Sequence, residues 1–268
     1  MLQTILAPNP SPMTLDGTRT FIVGRERAVV IDPGPDDPAH LDAIVRALEG
    51  RTPVAILLTH SHTDHSASAG LLFARTGAPV RMARGALVPL QEVVTEWIED
   101  GERIETDAGA LTAVATPGHA PEHVCFLWTD GPAEHDRALI AGDMFMGGGD
   151  TTLVAPPEGS LTDYLASLDR LRELPVDLVL PSHGEPFGDL AGRIDWIVAH
   201  HEERTAQTLD ALDQPRTAFD VTLRLFPDLP PDNFLHALRE ARAHLMYLRG
   251  LGAVERDVRE GLEVWGRR

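Results

Sequence analysis

His60-Ser61-His62-Thr63-Asp64-His65 puts three imidazoles and a carboxylate within six positions. Imidazole nitrogen and carboxylate oxygen are ligands for zinc and related divalent ions, and crowding them together without a cation is costly. In extended chain His60 and His62 point to the same side. A turn into a helix would then swing Asp64 and His65 toward a second centre. Three further candidates stand far along the chain. Thr116-Pro117-Gly118-His119 sets an imidazole on a Pro-Gly turn, and Ala141-Gly142-Asp143 ends on a carboxylate able to bridge two ions. Pro181-Ser182-His183-Gly184 sets a last imidazole beside a glycine. Each is ordinary alone; together with the hexad they read as one metal-binding set.

The chemistry such a set supports is hydrolysis. Two divalent ions about 3.5–4 Å apart can share a hydroxide and bring its pKa from about 15.7 toward about 7, which supplies a nucleophile without a reactive Ser or Cys. An ion also polarises the attacked carbonyl or phosphoryl oxygen. Asp64 and Asp143 are the carboxylates assigned to catalysis: Asp64 accepts a hydrogen bond from the nucleophile and moves its proton, and Asp143 bridges. The bond cleaved is an ester, thioester, lactone, amide or phosphodiester. Ser182 is not a nucleophile candidate, since no base and orienting group surround it. His123 reads as a hydrogen-bonded core histidine. His200 and His201 read as part of a solvated helix face.

These residues need elements to hold them. Val54–Leu58 is a continuous apolar run that reads as a buried strand ending at Thr59-His60. Strands are also expected at Thr20–Gly24, Ala28–Asp32, Pro79–Met82, Ala110–Ala115, Val124–Trp128, Arg137–Ala141 and Asp177–Leu180. Helices are expected at Ala39–Leu48, Ala67–Thr76 and Leu161–Leu171. The polar clusters at His60–His65, His119, Asp143 and His183 all follow strands, where sites in layered α/β folds gather. From about Leu190 the pattern turns helical, with a hairpin near Ala253–Trp265. The division is therefore a catalytic unit over 1–189 and a helical linker with a small terminal unit over 190–268. Leu235, Leu238, Ala241, Leu245 and Leu248 recur at three- and four-residue steps and form one helical face that needs a partner. Loops at Gly85–Asp100 and Met146–Gly159 are the expected specificity segments.

The 268 residues, 43% apolar, suffice for one large domain or a main domain with a small one. Cys125 is the only cysteine, which rules out an intramolecular disulfide and a cysteine-ligated zinc knuckle. A reducing, cytoplasmic setting fits. No apolar stretch of about 18 residues occurs, so no membrane partner is expected. Acidic residues number 41 against 23 basic ones, a formal net charge of −18, and every basic residue is Arg. Such a field repels polyanions, and the lack of Lys removes any Schiff-base mechanism. A genome-wide preference for Arg, Asp and Glu accounts for the composition without reference to substrate.

The ordered set His60, His62, Asp64, His65, His119, Asp143, His183 resembles the signature of the metallo-β-lactamase superfamily. The resemblance implies an αββα sandwich, an α/β fold, with two metal ions at one edge of two packed sheets. It implies that His60, His62 and His119 hold the first ion, that Asp64, His65 and His183 hold the second, and that Asp143 bridges both, zinc being the expected metal. Asp32 matches a position the family uses to orient a ligating imidazole. Pro8-Asn9-Pro10, Thr116-Pro117-Gly118-His119-Ala120-Pro121-Glu122-His123, Gly142-Asp143-Met144-Phe145 and Tyr164-x-x-Ser167-Leu168 extend the likeness. They place it near the β-lactamase-like protein 2 branch, which implies a C-terminal winged-helix domain over Thr217–Arg268.

Two rival activities follow from the same resemblance. One is an endoribonuclease or phosphodiesterase acting on single-stranded RNA. Winged helices bind nucleic acid through basic surfaces, but residues 200–268 carry 12 Asp and Glu against 10 Arg. The tail is therefore expected to shape the pocket mouth or a homodimer contact, with a small-molecule substrate in the pocket. The other rival is a mononuclear iron persulfide dioxygenase, which keeps a similar hexad; one iron per chain marks it, two zinc ions the hydrolase.

Overall fold

Alternation along the strands sorts apolar side chains onto two faces. In the computed structural model, which describes residues 1–87, 93–130, 137–149 and 151–268, two large sheets pack face to face. The first runs in spatial order β1 (Leu2–Leu6), β2 (Arg19–Val23), β3 (Arg27–Ile31), β4 (Thr52–Leu57), β5 (Val80–Ala83), β6 (Glu96–Ile98). The second runs β11 (Leu178–His183), β10 (Arg137–Met146), β9 (Val124–Thr129), β8 (Gly109–Ala115), β7 (Arg103–Thr106). β3, β4, β5 and β6 pair in parallel, as do β10 and β11.

Phe21, Val29, Ile31 and Leu57 of the first sheet meet Leu111, Phe126, Trp128 and Ile140 of the second in the central core. Ile22, Val30 and Ile56, one residue out of phase, point the other way. They meet α1 (Pro38–Ala47) and α3 (Ala69–Thr76) through Leu41, Ile44 and Leu72. On the far side, Leu139, Ala141 and Val179 pack against α4 (Leu161–Arg172) and α5 (Leu190–Asp210) through Tyr164, Leu168, Ile194 and Ile197. Helix, sheet, sheet, helix is the four-layer arrangement expected. Each large apolar side chain so buried contributes about 1.5–3 kcal/mol. No helix among the described residues is long and apolar enough to cross a membrane.

After α5 the chain forms α6 (Ala218–Leu225), α7 (Phe234–Gly250) and the hairpin β12 (Val254–Arg259)–β13 (Leu262–Arg267). α6 begins with a capping box between Thr217 and Asp220. The stripe on α7 differs from the expected one. Ala237, Ala241, His244, Leu245 and Leu248 are buried, whereas Leu235 is 58% exposed. Leu235 stands two residues from Ala237, about 200° round the helix, so it cannot share that face.

His201 also departs from expectation, being 6% exposed rather than solvated. Ile194, Ile197, His201 and Thr208 share the inward stripe of α5, and α5 lies between α4 and α7. The His201 ring is 5.5 Å from that of His244 and 5.8 Å from Tyr164. Burial, aided by His200, lowers His201 from 6.5 to about 4. Burial, aided by His201, lowers His244 from 6.5 to about 3. Between pH 6.5 and these values the unfolded chain takes up protons that the folded one refuses. The pair's contribution is thus complete above pH 6.5 and is lost as pH falls. His244→Gln should make the decline in stability between pH 6.5 and 4 shallower in denaturant titrations; an unchanged slope would show that His244 does not resist protonation.

Candidate metal centre

The hexad is delivered by the end of a strand and one turn of helix. β4 stops at Leu57, His60 and His62 follow on the connecting segment, and Asp64 and His65 lie on α2 (Thr63–Ser66). His183 closes β11. Asp143 lies inside β10 rather than beyond its end, because the strand continues to Met146 with Met144, Phe145 and Met146 all buried. The ladder to β11 slips at Gly142, where φ is +53°. A Cβ there would stand 2.5 Å from Nε2 of His123, so only glycine lets the two residues meet. Gly118, with φ +144°, lets the His119 turn approach the backbone of Tyr164, which a Cβ would meet at 2.3 Å.

The structure brings all seven expected residues together. Donor atoms of His60, His62, His119 and Asp143 lie within 4.8 Å of one another, and so do those of Asp64, His65 and His183. Every imidazole has one nitrogen turned outward onto a protein acceptor. His65 Nδ1 meets the Asp32 carboxylate at 2.9 Å, and His62 Nε2 meets Glu158 at 2.9 Å. His119 Nδ1 meets the Leu153 carbonyl at 2.9 Å, and His183 Nδ1 the Gly17 carbonyl at 3.1 Å. Carbonyls and carboxylates only accept, so the ring proton belongs on those outward nitrogens. His60 Nδ1 meets Thr59 Oγ1 at 3.0 Å, and that hydroxyl donates to Asp32 at 2.7 Å, so it too accepts from the ring.

The inward nitrogens therefore carry lone pairs. His62 Nδ1 faces His60 Nε2 at 2.9 Å and His119 Nε2 at 3.0 Å. Three lone pairs at that spacing repel unless a cation lies among them. Asp143 turns Oδ2 toward His119 Nε2 (3.4 Å) and Oδ1 toward His183 Nε2 (3.2 Å) and His65 Nε2 (3.4 Å). Asp64 Oδ2 faces His65 and His183, each at 3.3 Å. His65 Nε2 and Asp143 Oδ1 are buried without a hydrogen bond among the described residues. Orphaned donors and converging nitrogen and oxygen atoms fit divalent metal ions.

The electrostatics agree. Burial opposes a proton on His183, but the facing carboxylates of Asp143 and Asp64 outweigh it and lift the ring to about 9. Burial likewise opposes charge on His65, and Asp143, Asp64 and Asp32 overcome it, so its pKa is raised. Without metal, protons on these rings stand in for a cation. Burial and His65 hold His60 well below its ordinary value.

Several positioning residues escaped the sequence reading. Glu158 holds His62, Glu122 accepts from the Ser61 amide at 2.9 Å, and Thr18 donates to Asp64 at 3.4 Å. No spacing rule links them to the hexad. His123 is the core histidine expected: its Nδ1 lies 2.9 Å from Thr116 Oγ1, and its Nε2 accepts from the Asp143 amide at 3.1 Å. Asp32, fully buried with φ +51°, accepts from the Thr59 amide and hydroxyl as well as His65. The mouth, about 290 Å³, is lined by Met13, Glu158, and His236 and Arg239 of α7. Residues 88–92 of the expected loop Gly85–Asp100, and residue 150 of Met146–Gly159, lie outside the described residues.

Removing an acceptor behind a ligating imidazole typically lowers metal affinity about 10–100-fold. Asp32→Ala should do so for the group containing His65 and leave the His60, His62, His119 group less affected, as read by competitive chelator titration. Equal weakening of both groups, or of neither, would contradict this role.

Residues 14–183 match the model of the Metallo-beta-lactamase superfamily. The chain is 32% identical to the lactamase-like protein adaB of Aspergillus niger over 221 residues, which span 81% of this chain and 66% of that protein, just under two thirds of its length. It is 28% identical to the beta-lactamase-like protein 2 homolog of Caenorhabditis elegans, over 94% of this chain and 85% of that protein. It is 30% identical to the atrochrysone carboxyl ACP thioesterase dmxR1 of a Cryptosporiopsis species, over 80% of this chain and 63% of that protein. The crystal structure of a metallo-beta-lactamase family protein from Thermus thermophilus is 26% identical, with a TM-score of 0.79 over 100% of this chain and 98% of that one. With this fold, this cluster and relatives above 30% identity over four fifths of its length, the chain belongs to the metallo-β-lactamase superfamily.

Proposed function

We propose that this chain is a dinuclear metal-dependent hydrolase of small-molecule thioesters or esters. The observation that carries the reading is Asp143, whose two carboxylate oxygens face different ligand groups: Oδ2 toward His119, Oδ1 toward His65 and His183. His60, His62 and His119 would hold one ion, Asp64, His65 and His183 the other, with Asp143 between them. Zinc suits a set of five imidazoles and two carboxylates. Bound there, the ions supply an acidified water for attack and a Lewis acid for the scissile oxygen.

The protein's own groups do the rest. The outward hydrogen bonds on Asp32, Glu158, Leu153 and Gly17 fix each ring's orientation, so no reorganisation is needed during reaction. Asp64 is more open to the mouth than Asp143, with 28% of its side chain exposed against 10%. Its carboxylate would take the proton of the attacking water and pass it to the leaving group. The enclosed floor excludes bulk water, while the mouth lets a larger leaving group depart. The fungal relative named as an acyl-carrier thioesterase supports a thioester over a phosphodiester, and a net charge of −18 argues against a polyanionic substrate.

Residues 190–268 form the second unit in this reading, with α6, α7 and the hairpin in a winged-helix arrangement. Its role is to wall the mouth: α7 contributes His236 and Arg239.

Metal-loaded protein should hydrolyse thioesters or esters, and Asp143→Ala should lose at least about 100-fold in kcat/KM, the loss expected from removing a preorganised electrostatic element. A chelator should abolish activity and lower the melting temperature. An Asp143→Ala protein of full activity would remove the bridging role. Equal melting temperatures for metal-free and metal-loaded protein would contradict an integrated metal site.

A further inference from the structure

Beside the ligand cluster, adjoining the mouth, lies a second cavity of about 160 Å³. His119 and Asp143 form its boundary with the centre, and both also line the mouth. Its far wall is His201 of α5 with Glu240 and His244 of α7, and its sides include Met13, Val154 and Leu161. Apolar walls with a few polar groups at either end are the build of a small-molecule site.

Two observations say what it would take. The first is size: cavities of about 150 Å³ hold one benzene ring, so this one admits a single six-membered ring and not a long flexible arm. The second is His201. Its ring is 94% buried, and neither Nδ1 nor Nε2 has a hydrogen-bond partner among the described residues. A buried polar group left unpaired is costly, and a ligand oxygen would satisfy it. His244 is anchored instead, its Nδ1 lying 2.9 Å from Thr205 Oγ1. Held neutral by burial, His201 offers one donor and one acceptor, the complement of a hydroxyl group.

We infer that this cavity is the acyl-specificity pocket, and that it selects an acyl group built on one ring bearing a hydroxyl or carbonyl oxygen that meets His201. The inference rests on the proposed thioester or ester hydrolysis. The acyl arm enters this smaller cavity past His119 and Asp143, and the leaving group stays in the mouth beside Arg239. His201 is a specificity residue: it touches the substrate remote from the bond that breaks.

The test uses full-length, zinc-loaded protein and N-acetylcysteamine thioesters of acetate, benzoate, the three hydroxybenzoates and 2-naphthoate. One hydroxybenzoyl isomer should exceed benzoyl in kcat/KM by at least about tenfold, with acetyl and naphthoyl below benzoyl. His201→Phe keeps the ring contacts with Tyr164 and His244 but removes both nitrogens, and should collapse the hydroxybenzoyl-to-benzoyl ratio to near one. Ala243→Leu, which narrows the same cavity, should lower the benzoyl-to-acetyl ratio by at least about tenfold and keeps the test decisive if His201→Phe does not fold. In parallel, phenol should shift the His201 imidazole ¹⁵N resonances of the wild type while benzene leaves them in place. Phenol shifts at His201 without hydrolysis of any thioester would support the pocket and sink the hydrolase reading instead. Hydrolysis with equal efficiency for acetyl, benzoyl and hydroxybenzoyl groups, and no phenol shift at His201, would overturn the pocket and leave the hydrolase standing.

Discussion

Five imidazoles whose protons all point outward leave five lone pairs pointing inward at two carboxylates. The outward bonds to Asp32, Glu158, Leu153, Gly17 and Thr59 leave no freedom to turn the rings over. Neutral nitrogens about 3 Å apart with no hydrogen between them are stable only around a cation. Without metal, protons do part of that work, which is why Asp143 and Asp64 raise His65 and His183. A carboxylate with an imidazole group on either side has a preferred place between two positive centres. Asp143 occupies it.

The fold exists around this constraint in a concrete sense. Strand β4 of the first sheet and β10 and β11 of the second bring backbone from distant parts of the sequence to one site, and two glycines admit the closest approaches. Gly142 makes room for His123 to hold the Asp143 amide, and Gly118 lets the His119 turn lie against α4. The floor is then a buried set of imidazoles and carboxylates, while α7 adds His236 and Arg239 to the mouth. α5 and α7 close the cavity behind the metals with His201 and His244, two histidines kept neutral by burial. The chain carries a net charge of −18, and Arg239 lies in the lining of the mouth.

Much of this was legible because the ligands are close in sequence or sit beside turn residues. The hexad declares itself by density of His and Asp alone, and the Pro-Gly before His119 marks its turn. The alternation of strands and helices follows from apolar runs, the αββα order from the family resemblance, and β8, β9 and β11 fall where they are expected to within a few residues. The β10 boundary was missed because a bulged strand that stays buried looks, in sequence, like a strand that stops at Gly142. Glu158 and Thr18 were invisible, since one hydrogen bond across 46 or 96 positions leaves no periodic trace. His201 was misassigned because its neighbours Glu202 and Glu203 are exposed, and one inward residue in a charged run does not break the polar pattern. The tail face was right at Ala241, Leu245 and Leu248 and wrong at Leu235, where three-residue steps had drifted off the 3.6-residue turn.

The central claim is that two cations share Asp143. Crystals of protein purified without chelator, measured at the zinc absorption edge, test it most directly. The account predicts two anomalous peaks about 3.5–4 Å apart, one among His60, His62 and His119, the other among Asp64, His65 and His183, with the Asp143 carboxylate between. A single peak confined to one group, or two peaks with Asp143 contacting only one of them, would contradict it.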